Sequence, residues 1–168
     1  MKNGKPIIAI VNDDIDISSL LVDIFQMRNI PVCFVANDIQ EALSKFKSAN
    51  PKPDIVMMGF GFLYYCGVDL AKKILAVQPS VKIIFLGLDM DLMEDAYEAG
   101  VSLFLVMPVR MNIFTDAINI VHNNTGKYKY DGNQFRNLKS NTIYFTHQIR
   151  TEKPIVHTRP RRGAAPQQ

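Results

Sequence analysis

The chain has two cysteines, three histidines and no tryptophan. Cys33 lies in an apolar run and reads as a small core residue, while Cys66 lies in a loop-like stretch. Two such positions in a reducing compartment do not make a disulfide framework. His122, His147 and His157 have no i, i+4 partner or CxxC-type neighbour, so no metal site and no cofactor are expected. Long apolar runs are also missing. No run approaches the roughly 18 residues that span a bilayer, so no membrane helix is expected. The five apolar residues Ile7 to Val11 give way to Asn12 and Asp13, too short a stretch for a secretory core. These absences together lead to the expectation of a cytoplasmic protein.

What is present divides in two. The net charge of +3 combines ten Lys/Arg and fourteen Asp/Glu in residues 1–123 with nine Lys/Arg and two Asp/Glu in residues 124–168. The body is therefore mildly acidic (−4) and the tail strongly basic (+7), as expected for two parts with different work.

Over 1–123, short apolar runs alternate with helical patterns. The runs are IIAIV (7–11), VCFV (32–35), DIVMM (54–58), KIIFL (82–86) and SLFLV (102–106), apolar without alternation, as in strands covered on both faces. Between them, Ile17, Leu20, Leu21, Ile24 and Phe25 share one helical face, and Ile113, Phe114, Ala117, Ile120 and Val121 share another. Three further periodic segments lie between these two, and Pro31, Pro51, Pro53, Pro79, Gly100 and Pro108 punctuate the series. Five strands alternating with five helices predict a doubly wound α/β domain with a parallel sheet. Function in such a sheet gathers at the carboxyl ends of the strands, here Asn12–Asp14, Gly59–Phe62, Gly87–Leu88 and Met107–Pro108. After Asn123 aliphatics become sparse. One strand is expected within TIYFTHQI (142–149), and the rest of 124–168 is expected to be irregular and largely disordered.

Several segments, in order and correctly spaced, resemble the receiver domain of two-component signalling. IIAIVNDDIDI is similar to its first strand and acidic pair, ANDIQEAL to the start of its second helix, PDIVMMGF to its third strand, and AGVSLFLVMPV to its fifth strand and Lys-Pro turn. The resemblance covers about residues 5–123 and implies the flavodoxin-like strand order 2-1-3-4-5, with a cis bond before Pro108. It also implies a reaction. An aspartate ending strand 3 takes up a phosphoryl group, acidic residues after strand 1 help hold magnesium, and a hydroxyl after strand 4 and a lysine after strand 5 bind the product. The signal then passes into a rearranged strand 4/helix 4 surface.

Each of these positions differs here. The nucleophile position is Gly59, the hydroxyl position Gly87, the lysine position Met107 and the first acidic position Asn12, which leaves Asp13 and Asp14. Asp54 begins strand 3, roughly 16 Å from its carboxyl end at 3.3 Å per residue, and does not replace the missing carboxylate. A single carboxylate should hold magnesium weakly. The resemblance thus implies the fold without catalysis, metal or cofactor: a non-phosphorylatable pseudo-receiver that acts through protein partners (a kinase, another receiver or an output protein) or as a homodimer.

Three fates are open for the altered pocket. Phe60, Phe62 or Met107 folds inward to fill it; Phe60, Phe62, Tyr64 and Tyr65 form an exposed patch for a partner; or the space takes a small apolar ligand. A second partner surface is expected on Asp91–Ala99 with Met111–Val121, carrying Asp91, Glu94, Asp95 and Glu98. In the tail, Lys127, Tyr128, Lys129, Tyr130, Arg136, Arg159, Arg161 and Arg162 interleave cations with aromatics, a composition suited to nucleic acid. That alternative makes the receiver a dimerisation or sensing module.

Overall fold

A computed structural model describes residues 4–59, 66–145 and 157–158. The strands β1 (Ile8–Asn12), β2 (Val32–Ala36), β3 (Ile55–Gly59), β4 (Lys82–Gly87) and β5 (Leu103–Val106) alternate with α1 (Ile15–Met27), α2 (Ile39–Ser48), α3 (Cys66–Val77), α4 (Met93–Ala99) and α5 (Met111–Asn123). The five strands are parallel in the order β2-β1-β3-β4-β5, as expected, and the boundaries fall within one residue of the apolar runs. All five residues of both β1 and β3 are buried, which explains their unbroken hydrophobicity.

The pleat sends alternate residues to two cores. Ile8, Ile10, Met57, Ile84 and Leu105 meet Leu21 and Phe25 of α1 and Ile113, Phe114 and Ala117 of α5. Ala9, Val11, Val56, Met58, Phe85 and Phe104 meet Phe46 of α2, Leu70, Ala71 and Ile74 of α3, and Ala96 of α4. Local chemistry sets the helix ends. Asp14 caps α1, its carboxylate accepting from the Asp16 and Ile17 N–H groups at 2.9 and 3.1 Å. Asp38 caps α2 by accepting from the Glu41 N–H at 2.8 Å. The Lys82 ammonium reaches the carboxyl end of α5, donating to the carbonyls of Val121, His122 and Asn124.

The sheet does not stop at β5. Four more strands follow: β6 (Tyr128–Tyr130) parallel to β5, then β7 (Gln134–Asn137), β8 (Thr142–Phe145) and the two-residue β9 (His157–Thr158), each antiparallel to its predecessor. The expectation of a mostly irregular tail is therefore corrected for residues 128–145. The one expected strand is present as β8, whereas 146–149 and RPRRGAAPQQ (159–168) lie outside the described residues. This stretch is too short for a core of its own, but it needs none. Its strands extend an existing sheet, and Tyr128, Phe135 and Tyr144 join the α1/α5 core at 1%, 0% and 8% exposure. Edge-to-face contact between Tyr128 and Tyr144 (6.1 Å) and tilted contact between Tyr130 and Phe135 (4.8 Å) fix the packing.

Both flanks of the parallel sheet are thereby protected. The outer edge of β5 is paired by β6, and on β2 the Lys45 ammonium donates to the Val35 carbonyl at 2.8 Å. Replacement of the fully buried Phe135 by alanine should cost about 3–5 kcal/mol. Denaturant unfolding checks this; a cost below about 1 kcal/mol would mean that the meander is not part of the cooperative unit.

Candidate functional site

The carboxyl ends of β1, β3, β4 and β5 meet where the sequence places the site. In register, Asn12 pairs with Gly59, Gly59 with Leu86, and Gly87 with Val106. Asn12 is 4% exposed, and its Oδ1 accepts from the Asp14 N–H at 2.8 Å. That bond settles the orientation of the amide: Nδ2 is the atom that faces Gly59. A β-carbon on Gly59 would stand 3.0 Å from Asn12 Nδ2 and 3.1 Å from both Cβ and the carbonyl oxygen of Leu86. A side chain at position 59 is therefore resisted on two sides. The Asn12 carbonyl accepts from Asn37 Nδ2 at 2.9 Å, and Asn37 Nδ2 is also 3.3 Å from Ser18 Oγ. Asp14 is used as the cap of α1, and Asp13 is half-buried beside it.

At β4 the replacement is more complete. A β-carbon on Gly87 would lie 2.3 Å from Cζ and 2.7 Å from Cε1 of Phe104. The ring of Phe104, 1% exposed, thus fills the room a side chain at 87 would need, and it stacks on Phe85 at 5.4 Å with the planes 6° apart. Met107 donates its N–H to the Gly87 carbonyl at 2.7 Å, is half-buried and packs against the α1/α5 core. Phe60, Phe62, Tyr64 and Tyr65 lie outside the described residues. The peptide before Pro108 is cis, as expected, and so is the one before Pro51. Asp54 sits at the opposite end of β3, its carboxylate accepting from the Ile7 N–H at 2.9 Å.

The Response regulator receiver domain family matches residues 8–119. The chain belongs to that family. A chemotaxis protein CheY from Thermotoga maritima is 31% identical over 70% of this chain and 98% of its own length. Among solved structures, a receiver from Clostridium thermocellum (TM-score 0.64, 22% identity, 70% of this chain, 94% of its own) shares the fold. So do the response regulator domain of Thermotoga maritima CheB (0.63, 19%, 73% and 99%) and a chain of a CheX–CheY–BeF3–Mg complex from Borrelia burgdorferi (0.62, 22%, 67% and 85%). The matched segment ends before the meander, so β6–β8 is an addition to the receiver.

The residues at the receiver site are a poor fit for magnesium. Octahedral magnesium needs several oxygens free to turn towards it. Here Asn12 Oδ1 is held by a backbone N–H, Asp14 Oδ1 caps α1, and Gly59 offers no side chain, which leaves Asp13 and the second oxygen of Asp14. No group of three His, Cys, Asp or Glu that could hold a metal occurs among the described residues.

Of the expected partner surface, Asp91, Glu94, Asp95 and Glu98 are exposed, α5 is buried at eight of its thirteen residues, and the outer edge of β5 is paired by β6. The aromatic side of the nucleic-acid alternative is corrected too. Tyr128 is in the core, and Tyr130 is half-buried against Phe135 with its hydroxyl donating to the Gly132 carbonyl. Lys127 donates to the Tyr97 carbonyl, Lys129 is exposed, Arg136 is half-buried, and Arg159, Arg161 and Arg162 lie outside the described residues.

Two residues were missed from sequence. Phe104 is one. The other is Tyr97 of α4, whose hydroxyl accepts from the Phe104 N–H at 3.1 Å and donates to the Tyr128 carbonyl, bridging β5 and β6. Burial pushes this hydroxyl up to about 12. Since its folded value lies above the unfolded one, the contribution is complete below about pH 10 and is lost as pH rises towards 12. Tyr97→Phe should cost about 1–3 kcal/mol, by leaving an N–H and a carbonyl unpaired, and should shallow the alkaline loss of stability. Unfolding of both proteins from pH 7 to 12 checks this; identical profiles would remove the bridge from the account.

Proposed function

We propose that this receiver is not phosphorylated and works in two-component-type signalling by presenting one fixed surface to a protein partner in the cytoplasm. Gly59 carries the reading: at the carboxyl end of β3 the chain offers backbone where the family's reaction needs a carboxylate. Nothing at that end replaces it, because Asp54 is tied to the far end of the strand and Asp14 caps a helix. Met107 also lacks the ammonium that would hold a phosphoryl oxygen, a charge-assisted bond of about 1.5–3 kcal/mol. With no nucleophile at position 59 and only Asp13 and Asp14 left to meet a metal, on this reading the site has no catalytic role.

The surface itself follows from Phe104. In the family, a hydroxyl after strand 4 moves with the phosphoryl group and reshapes the strand 4/helix 4 region. Here the space is occupied by an aromatic ring, and the backbone of that ring is tied through Tyr97 to α4. The adjoining turn and helix expose Leu88 (64%) and Met90 (62%) among Asp89, Asp91, Glu94, Asp95 and Glu98. Apolar anchors ringed by one sign of charge suit a partner with apolar contacts inside a basic rim. No described helix is long and apolar enough to cross a membrane.

The test is intact-mass spectrometry after incubation with acetyl phosphate and magnesium. The mass should not change, whereas a phosphoryl adduct localised to an aspartate of the folded domain would refute the reading.

A further inference from the structure

The meander adds a feature that lies outside the matched receiver segment. Lys129 on β6 and Arg136 on β7 are directly opposite each other. Residues so paired project from the same face with β-carbons roughly 4.5–5.5 Å apart. Their neighbours Tyr130 and Phe135 pack ring against ring on the other face, towards α5, so the two cations share the face away from that helix. Like charges in this position repel, and sheets normally avoid the arrangement. Among the described residues, Lys129 and Arg136 make no ion pair and no side-chain hydrogen bond. Arg136 Nε is also the one buried side-chain polar atom without a hydrogen-bond partner among the described residues. A buried donor of that kind needs an explanation, and on a guanidinium beside an ammonium the natural one is an anion.

We propose that Lys129 and Arg136 form a binding site for a single oxyanion of the phosphate class. The guanidinium supplies a planar fork and the ammonium a mobile point charge, a pairing suited to a tetrahedral oxyanion. The flanks are apolar: Phe104 lies opposite Lys129 on β5, and the buried Ile143 lies opposite Arg136 on β8. Low polarity on both sides strengthens attraction between the pair and an anion. The ligand is inorganic phosphate or a phosphoryl group on a small molecule or side chain. A nucleic-acid strand is disfavoured, since the aromatics that would stack bases face α5.

Thermal unfolding of the full chain in inorganic phosphate, O-phosphoserine or a thymidine oligonucleotide, against chloride at equal ionic strength, tests the site. For a dissociation constant near ~1 mM, ~10 mM phosphate should raise Tm by about 2–4 °C. Lys129→Gln removes an exposed side chain and leaves the fold intact, and Arg136→Gln removes the fork; each should weaken phosphate about tenfold or more. A larger shift with phosphoserine than with phosphate identifies a phosphorylated side chain as the ligand and supports the site. The proposal is overturned by no shift, by a shift that Lys129→Gln retains, or by oligonucleotide binding that tightens with length while phosphoserine has no effect.

Discussion

The position of one aromatic ring organises the signalling end of this molecule. Phe104 lies in the space above Gly87, stacks on Phe85, and has its N–H bound by the Tyr97 hydroxyl, which in turn binds the carbonyl of Tyr128. Strands β4, β5 and β6 and helix α4 are thus joined through one side chain and one hydroxyl. In a packed interior such a ring does not slide continuously; it either occupies its space or is expelled. Because Gly87 has no β-carbon, occupation meets no competitor. On the proposed reading the β4–α4 surface keeps one arrangement, because a side chain at position 87 would collide with this ring.

The groups at the receiver site share one direction. Gly59 offers only backbone at the carboxyl end of β3, Asn12 turns its amide nitrogen towards it, Asp14 Oδ1 caps α1, and Met107 packs against the core. The acidic pair that resembles a metal site in sequence therefore serves, at Asp14, to satisfy two backbone donors at a helix start. The meander complements this change. It pairs the β5 edge and packs Tyr128, Phe135 and Tyr144 into the α1/α5 core, so that β5 presents no open strand edge.

Much of the fold could be read from the residues. Runs such as IIAIV and KIIFL have no alternation because both faces of the sheet are covered, and the observed β1 and β4 follow them within a residue. The residues at the carboxyl ends of the strands, Asn12, Gly59, Gly87 and Met107, were also legible, since they fall at fixed places after those runs. The meander was not. Tyr128, Tyr130, Phe135 and Tyr144 were read by composition, as aromatics among cations, although their spacing along short strands points them alternately to one face. Their burial depends on α5, a distant partner that no local window contains. Phe104 was concealed in the run SLFLV, where nothing distinguishes a core phenylalanine from one that fills a neighbouring strand's missing side chain. Only the register of β4 against β5 makes that visible.

A fixed surface is the central claim, and amide-resolved NMR in the presence of magnesium and beryllofluoride, a mimic of the acyl phosphate, tests it most directly. The spectra should superimpose at Gly87 to Ala99 and at Phe104, with and without the mimic. Shifts or a second set of resonances confined to those residues would show that the surface has two states and contradict the account.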